Sequence, residues 1–145
     1  MTRYEHKQIG KVMICAFLGA AALVAGMGAI MRGGSIAFVI TAILLLTITG
    51  FYKLTVKIDN EKLRASFGIG LIRKEVSTSE IASCAPIRIR WWYGWGIHFT
   101  PYGWLYNISG WDAVAIALRD GRKFALGTND PHGLVTAIRR FASAR

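Results

Sequence analysis

The chain opens with two long apolar runs and then changes its period. Val12 to Met31 is twenty residues without a charge, and Ser35 to Tyr52 is eighteen more. At about 1.5 Å per helical residue, each run matches the ~30 Å hydrocarbon core of a bilayer. Only Arg32-Gly33-Gly34 separates them, which leaves room for a tight reversal and nothing else. The pattern predicts a transmembrane α-hairpin, with spans at about 12–31 and 35–52.

From Lys53 onward the apolar positions alternate. Leu54, Val56 and Ile58 stand against Lys53, Thr55 and Lys57, and Leu63, Ala65 and Phe67 stand against Arg64 and Ser66. Alternation of this kind makes strands with one buried face. Asp59-Asn60-Glu61-Lys62 supplies the turn, and setting Ile58 against Leu63 also sets Val56 against Ala65, so both strands agree on the inner face. The same register puts Lys57 directly opposite Arg64, a like-charge pair that destabilises a ladder unless an anionic partner or solvent screening offsets it.

Further strands are predicted at 69–76, 81–90, 105–109, 113–118 and 123–127. Around Asp120-Gly121, a three-residue loop of Arg119, Asp120 and Gly121 is favoured over a two-residue one. It places Phe124 and Leu126 opposite Ile116 and Val114, with Gly121 left-handed. A helix closes the chain: Asp130 caps it, Pro131 suits its first position, and Leu134, Ile138 and Phe141 form its apolar stripe. Arg139, Arg140 and Arg145 fall near the negative end of its dipole. The reading is an α+β protein with residues 1–52 as N-terminal segment and hairpin. Residues 53–145 form one domain of about seven strands and a C-terminal helix.

Charge decides the orientation. Arg3, Lys7 and Lys11 precede the first span, the turn carries only Arg32, and Lys53, Lys57, Lys62 and Arg64 follow the second. Positive charge accumulates on the untranslocated side, so both termini and the domain are expected in the cytoplasm, with the hairpin integral to the membrane. A cleaved signal peptide fits poorly, because the first run exceeds the usual ~7–15 residues and a second follows at once. Neither span contains Asp, Glu, Lys, Arg or His, which argues against a transport path. The first is instead rich in small residues (Ala16, Ala20, Ala21, Ala22, Ala25, Gly26, Ala29) that allow close helix packing, and the second carries Thr41, Thr47 and Thr49, whose hydroxyls can bond back to their own helix. Cys15 lies in a span and Cys84 in the domain, so the two are expected to be free thiols.

The net charge of +10 is partly explained by these flanks. From Lys53 onward, fourteen Lys plus Arg still face seven Asp plus Glu. A basic surface beside a membrane is attracted to anionic headgroups by about 1 kcal/mol per nearby residue. Four of the five tryptophans (Trp91, Trp92, Trp95 and Trp104) cluster with Tyr93, Phe99, Tyr102 and Tyr106, and Arg88 and Arg90 lead into the cluster. About half of these rings are expected to fill the core. The rest suit a membrane interface or a protein contact, where Trp, Tyr and Arg are common anchors. Candidate surface residues are Lys57, Arg64, Arg88, Arg90, Trp91, Trp92 and Trp95. Nucleic acid is not an expected partner, since no recognition motif accompanies these residue types.

Catalysis finds no footing in the sequence. His6, His98 and His132 are scattered, metal-ligand spacing is absent, Ser77, Ser79 and Ser83 lack a neighbouring base, and Gly94, Gly96 and Gly103 form no phosphate loop. Neither enzymatic activity nor a cofactor is expected.

Residues 53–145 resemble the bacterial pleckstrin-homology-like domain family. The resemblance is carried by the opening hairpin Leu54–Phe67, by Tyr93-Gly94-Trp95-Gly96-Ile97 and by Trp104-Leu105-Tyr106-Asn107-Ile108-Ser109-Gly110. It continues through Asp120-Gly121-Arg122-Lys123 and Gly127-Thr128-Asn129-Asp130-Pro131. It implies a strongly bent antiparallel sheet or barrel capped by the helix, in a small inner-membrane protein, and no agreed biochemical activity. The expected function is non-enzymatic: a membrane-anchored domain that binds a protein or anionic lipid at the cytoplasmic surface. The alternative is a scaffold that self-assembles through the hairpin and a sheet edge.

Overall fold

In the computed structural model, which describes residues 4–142, the apolar runs form helices α1 (Lys11–Ile30) and α2 (Gly34–Phe51). Both are long and apolar enough to cross a membrane, and few of their residues are buried by the rest of the chain. The reversal is made by Arg32 in the left-handed region (φ 52°), with the Gly33 N–H donating to Gly28 O at 3.2 Å. Small residues hold the helices together. Ala21 is buried, and a Cβ on Gly28 would sit 2.2 Å from that of Ala37, so only glycine permits this approach. Thr47 and Thr49 donate to Ile43 O and Leu46 O, as expected of hydroxyls in an apolar helix.

The hairpin occupies the place of a turn. Strand β1 (Tyr4–Ile9) runs into α1, α2 runs into β2 (Lys53–Ile58), and the two strands pair antiparallel with Ile9 opposite Lys53. The Gly10 N–H closes the junction on Tyr52 O at 2.9 Å. No strand was expected before the hairpin, because the inward row of β1 is Tyr4, His6 and Gln8 rather than aliphatic. Those polar groups are held by distant loops: Gln8 Nε2 donates to Ser109 O and Oγ at 2.9 and 2.8 Å, and His6 hydrogen-bonds Asn129 Oδ1. Burial, reinforced by the Asp130 carboxylate, pushes the Tyr4 hydroxyl up to about 12.

β1, β2, β3 (Lys62–Phe67) and β4 (Ile72–Ser77) make one antiparallel sheet in that order. The second sheet has the order β5-β8-β9-β7-β6, from β5 (Ile81–Arg88), β6 (Gly96–Thr100), β7 (Gly103–Asn107), β8 (Asp112–Leu118) and β9 (Lys123–Gly127). Two expectations are corrected here. Nine strands appear among the described residues instead of about seven, and they form two sheets rather than a closed barrel. β7 and β9 pair in parallel, so the second sheet is mixed. The hairpin registers are as expected: Ile58 faces Leu63, Lys57 faces Arg64, and Phe124 and Leu126 face Ile116 and Val114 with Gly121 at φ 89°.

The core lies between the sheets. Leu54, Val56, Ile58, Leu63 and Phe67 meet Val114, Ile116, Phe124 and Leu126, and Leu134, Ile138 and Phe141 of α3 (Pro131–Ala142) complete it. Asp130 caps α3 through Oδ1 on the Gly133 N–H at 3.0 Å. Cys84 is buried beneath α3, 3.9 Å from Val135 O, and burial raises its thiol above the usual range. Cys15 is exposed on α1, and neither cysteine is bridged. Arg139 and Arg140 lie in the last turn of α3, while Arg145 and Arg3 fall outside the described residues.

The outer face of the first sheet resolves the Lys57–Arg64 conflict within the chain. Glu5 stands opposite Lys57 on one side and Glu75 opposite Arg64 on the other, so the two adjacent cations are flanked by a carboxylate at each end of a row across four strands. Glu5 Oε2 is 3.4 Å from Lys57 Nζ, and Glu75 Oε1 is 3.6 Å from Arg64 Nε. The hydrogen bond from Lys7 and the nearby Lys57 charge hold the Glu5 carboxyl below the ordinary glutamate value. A lowered carboxyl stabilises the fold above about pH 4.3, and that contribution is lost as pH falls through the lower folded value. Replacing Glu5 and Glu75 together by Gln is expected to lower the unfolding midpoint by a few degrees in low salt. The gap from wild type should narrow in about 1 M salt and on acidification, as followed by thermal circular dichroism.

Candidate membrane-surface binding site

The seven candidate residues fall into three places. Lys57 and Arg64 lie on the outer face of the first sheet, and both are already paired with carboxylates. They form a solvated charge row rather than a vacant anion site. Trp95 is half-buried and packs on Trp111, ring centroids 5.5 Å apart, so it belongs to the loop structure. Arg88, Arg90, Trp91 and Trp92 remain, and the structure brings these four together.

They sit where β5 leaves the second sheet. Arg88 ends the strand, Arg90 follows, and Trp91–Tyr93 form a single turn of 3₁₀ helix. Trp91 and Trp92 are 75% and 54% exposed and meet edge to face at 5.9 Å. The Arg90 guanidinium lies 4.9 Å from the Trp92 ring centre, a cation–π contact of the sort worth about 0.5–1 kcal/mol at an exposed site. Among the described residues neither Arg88 nor Arg90 forms an ion pair, in contrast to Lys57 and Arg64.

Behind these residues is a cleft of about 290 Å³. It is lined by Ile87, Arg88, Ile89, Arg90 and Tyr93 from the end of β5 and the turn after it, by Thr100-Pro101-Tyr102, and by Leu105 of β7. No acidic side chain lines it. The floor belongs to a second, smaller core of Ile89, Leu105, Ala113 and Ala125, on the face of the sheet turned away from the main core. The lining combines apolar side chains with two arginines, which suits an anionic group carried on an apolar or aromatic body. His98 is exposed and committed locally, its Nε2 lying 2.6 Å from Trp95 O.

None of the five tryptophans is buried, which corrects the expectation that about half the clustered rings fill the core. Trp91, Trp92 and Trp104 are exposed, and Trp95 and Trp111 half-buried. The core takes its aromatic volume from Phe67, Phe124 and Phe141 instead. The reason is positional. The tryptophans fall on connecting loops and on the edge pair β6–β7, where Phe99 and Trp104 meet edge to face at 5.6 Å near the end of the ladder. Tyr93 and Tyr106 do pack against the two cores.

Two parts of the site lay outside the sequence reading. The turn Thr100-Pro101-Tyr102-Gly103 closes the cleft and is tied by Thr100 Oγ1 donating to Gly103 O at 2.9 Å; its Pro-Tyr-Gly composition was a legible turn signal. Asn107 is fully buried, with Nδ2 3.2 Å from Gly110 O and 3.5 Å from Gly94 O, so it holds the tryptophan loop against the β7–β8 loop. Asn107→Ala is expected to cost about 2 kcal/mol of unfolding free energy, because the two carbonyls lose their buried donor. It should also release the loop, read as faster acrylamide quenching of tryptophan emission below the unfolding transition.

No protein-family model matches the chain and no curated protein is similar to it, so its function is read from this site.

Proposed function

We propose that this chain is a membrane-anchored, non-enzymatic binding domain that holds an anionic group, on a lipid headgroup or a protein, at the cytoplasmic membrane surface. The observation that carries the reading is the pair of guanidinium groups, Arg88 and Arg90, neither in an ion pair among the described residues, at a cleft whose described lining holds no acidic side chain, with exposed Trp91 and Trp92 following directly in the chain. The location supports it as well. Ser109 receives the Gln8 side chain, Ile108 lies against Gly10 at the start of α1, and Asn107 links that loop to Gly94. The site is therefore braced against the foot of the hairpin. The basic flanks at Lys7, Lys11 and Lys53 support a cytoplasmic orientation, and the order of two sheets and a closing helix supports kinship with the bacterial pleckstrin-homology-like domains.

The full-length protein in nanodiscs tests this directly. Adding anionic lipid to a zwitterionic disc is expected to shift tryptophan emission to shorter wavelength, and Arg88→Gln with Arg90→Gln should reduce that shift several-fold at unchanged thermal stability. If lipid has no effect, a photo-crosslinker at Tyr102 in native membranes should capture a protein, and the same two substitutions should abolish the capture. Absence of both signals overturns the reading.

A second reading, self-assembly, is favoured by β6. It is an open edge of the second sheet, and Gly96-Ile97-His98-Phe99-Thr100 carries none of the charge or proline that usually blunts an edge. Light scattering of the detergent-solubilised protein decides it: a multimer that dissociates on Ile97→Pro supports edge pairing, and a monomer excludes it.

A further inference from the structure

The turn joining β3 to β4 differs from the hairpin turns between β2 and β3 and between β8 and β9. Asp59-Asn60-Glu61 and Asp120-Gly121-Arg122 are polar, as solvent-facing turns usually are. The β3–β4 turn reads Gly68-Ile69-Gly70-Leu71. Its geometry is supplied by the glycines (φ 53° and 93°) and by the Gly70 N–H donating to Phe67 O at 2.7 Å. Ile69 and Leu71 contribute nothing to that geometry, yet they are 67% and 76% exposed.

The depth of this turn is fixed by α2. The Gly68 N–H donates to Lys53 O at 2.8 Å, and a Cβ on Gly68 would fall 2.3 Å from Thr49 O and 2.5 Å from Gly50 O. Thr49 and Gly50 belong to the last turn of the apolar helix, within about 3 Å of its end along the axis. Gly68 thus rests directly on the helix end, and the two exposed side chains follow at once. Ile9, 55% exposed, stands at the matching position before α1. The surrounding charges are basic: Lys53 lies 5.0 Å over the Tyr52 ring, Arg73 and Lys74 follow the turn, and residues 62–74 contain no carboxylate. Tyr and Lys at a helix end beside exposed aliphatic side chains is the composition of a headgroup boundary.

We propose that the β3–β4 turn is a third membrane contact, with Ile69 and Leu71 inserted among the headgroups and upper acyl chains beside the end of α2. The occupant of this surface is the bilayer itself, in direct continuity with the lipid around the helices. The domain is then seated in the membrane surface and not suspended above it. This rests on the reading that α1 and α2 span a bilayer, and the experiment separates the two.

Nitroxide labels are placed singly at Ile69→Cys, Leu71→Cys, Ile43→Cys at mid-helix and Arg122→Cys at the polar turn, in full-length protein with Cys15→Ala and the buried Cys84 retained. The protein is reconstituted in phosphatidylcholine–phosphatidylglycerol vesicles, and collision rates with oxygen and with a water-soluble nickel chelate are compared. Labels at 69 and 71 are expected to give an oxygen-to-nickel ratio several-fold above that at 122 and below that at 43. If 69 and 71 match 122 while 43 reports lipid, the turn is in water and the inference fails with the spans intact. If 43 also reports water, the spanning reading fails first. Low access to both reagents at 69 and 71 means that protein covers the turn, and this too overturns the proposal.

Discussion

The structure depends on one junction, where a pair of β-strands becomes a pair of helices. β1 and β2 are neighbours in a ladder, with Ile9 opposite Lys53 and the Gly10 N–H on Tyr52 O. Only Gly10 lies between β1 and α1, and only Tyr52 between α2 and β2. A flexible tether of n residues lets its cargo wander by about 5–6 Å × √n. Here each tether is one residue long and both are locked by a hydrogen bond. The hairpin cannot swivel against the domain without breaking the ladder, so the orientation of the helices dictates that of both sheets.

Packing around the junction extends this constraint inward. Met13 and Phe51 of the helices pack against the domain core, and Phe51, Phe67 and Tyr106 form a chain of rings with centroids 5.6 and 6.3 Å apart. That chain links the end of α2 to both sheets. On the other side, Gln8 and Gly10 touch the loop after β7, which Asn107 joins to the tryptophan segment. The candidate site therefore inherits its height from the same junction, through two loops and one buried amide.

What was legible in the sequence follows from how each element is stabilised. The helices, β2, β3, β8, β9 and α3 announce themselves because their apolar period matches their own geometry, and Gly121 fixes one register through a φ that other residues avoid. β1 was hidden because its inward row is polar and is held by Ser109 and Asn129, more than a hundred residues away. β6 was hidden for another reason: its one aromatic, Phe99, fell in a cluster divided between core and surface, and its pairing with β7 is set by a turn whose role shows only once the cleft is seen. In the site, the residue types were visible and their charge balance was not. Lys57 and Arg88 look alike in sequence and each faces a carboxylate across a ladder, Glu5 and Asp112, but only the fold closes the first to an ion pair at 3.4 Å and leaves Arg88 without one among the described residues.

That difference bears on what a basic patch would be for in a chain that, as proposed, is held at a membrane by its hairpin. Two arginines near an anionic leaflet are worth about 1 kcal/mol each, too little to recruit a soluble domain. Under the proposed function the hairpin would supply the residence, and the patch would meet its partner at the high effective concentration of an intramolecular contact. Affinity is then not the quantity under demand. A weak, correctly placed pair of guanidinium groups can still choose which headgroups or which acidic protein segment stand beside the helices, because a rigid junction presents the pair at one height and one angle. Loosening the junction would spread the same two charges over many positions and dilute the choice. On this argument the short, hydrogen-bonded connections at Gly10 and Tyr52 matter to the proposed binding as much as Arg88 and Arg90 do, although neither residue touches the cleft.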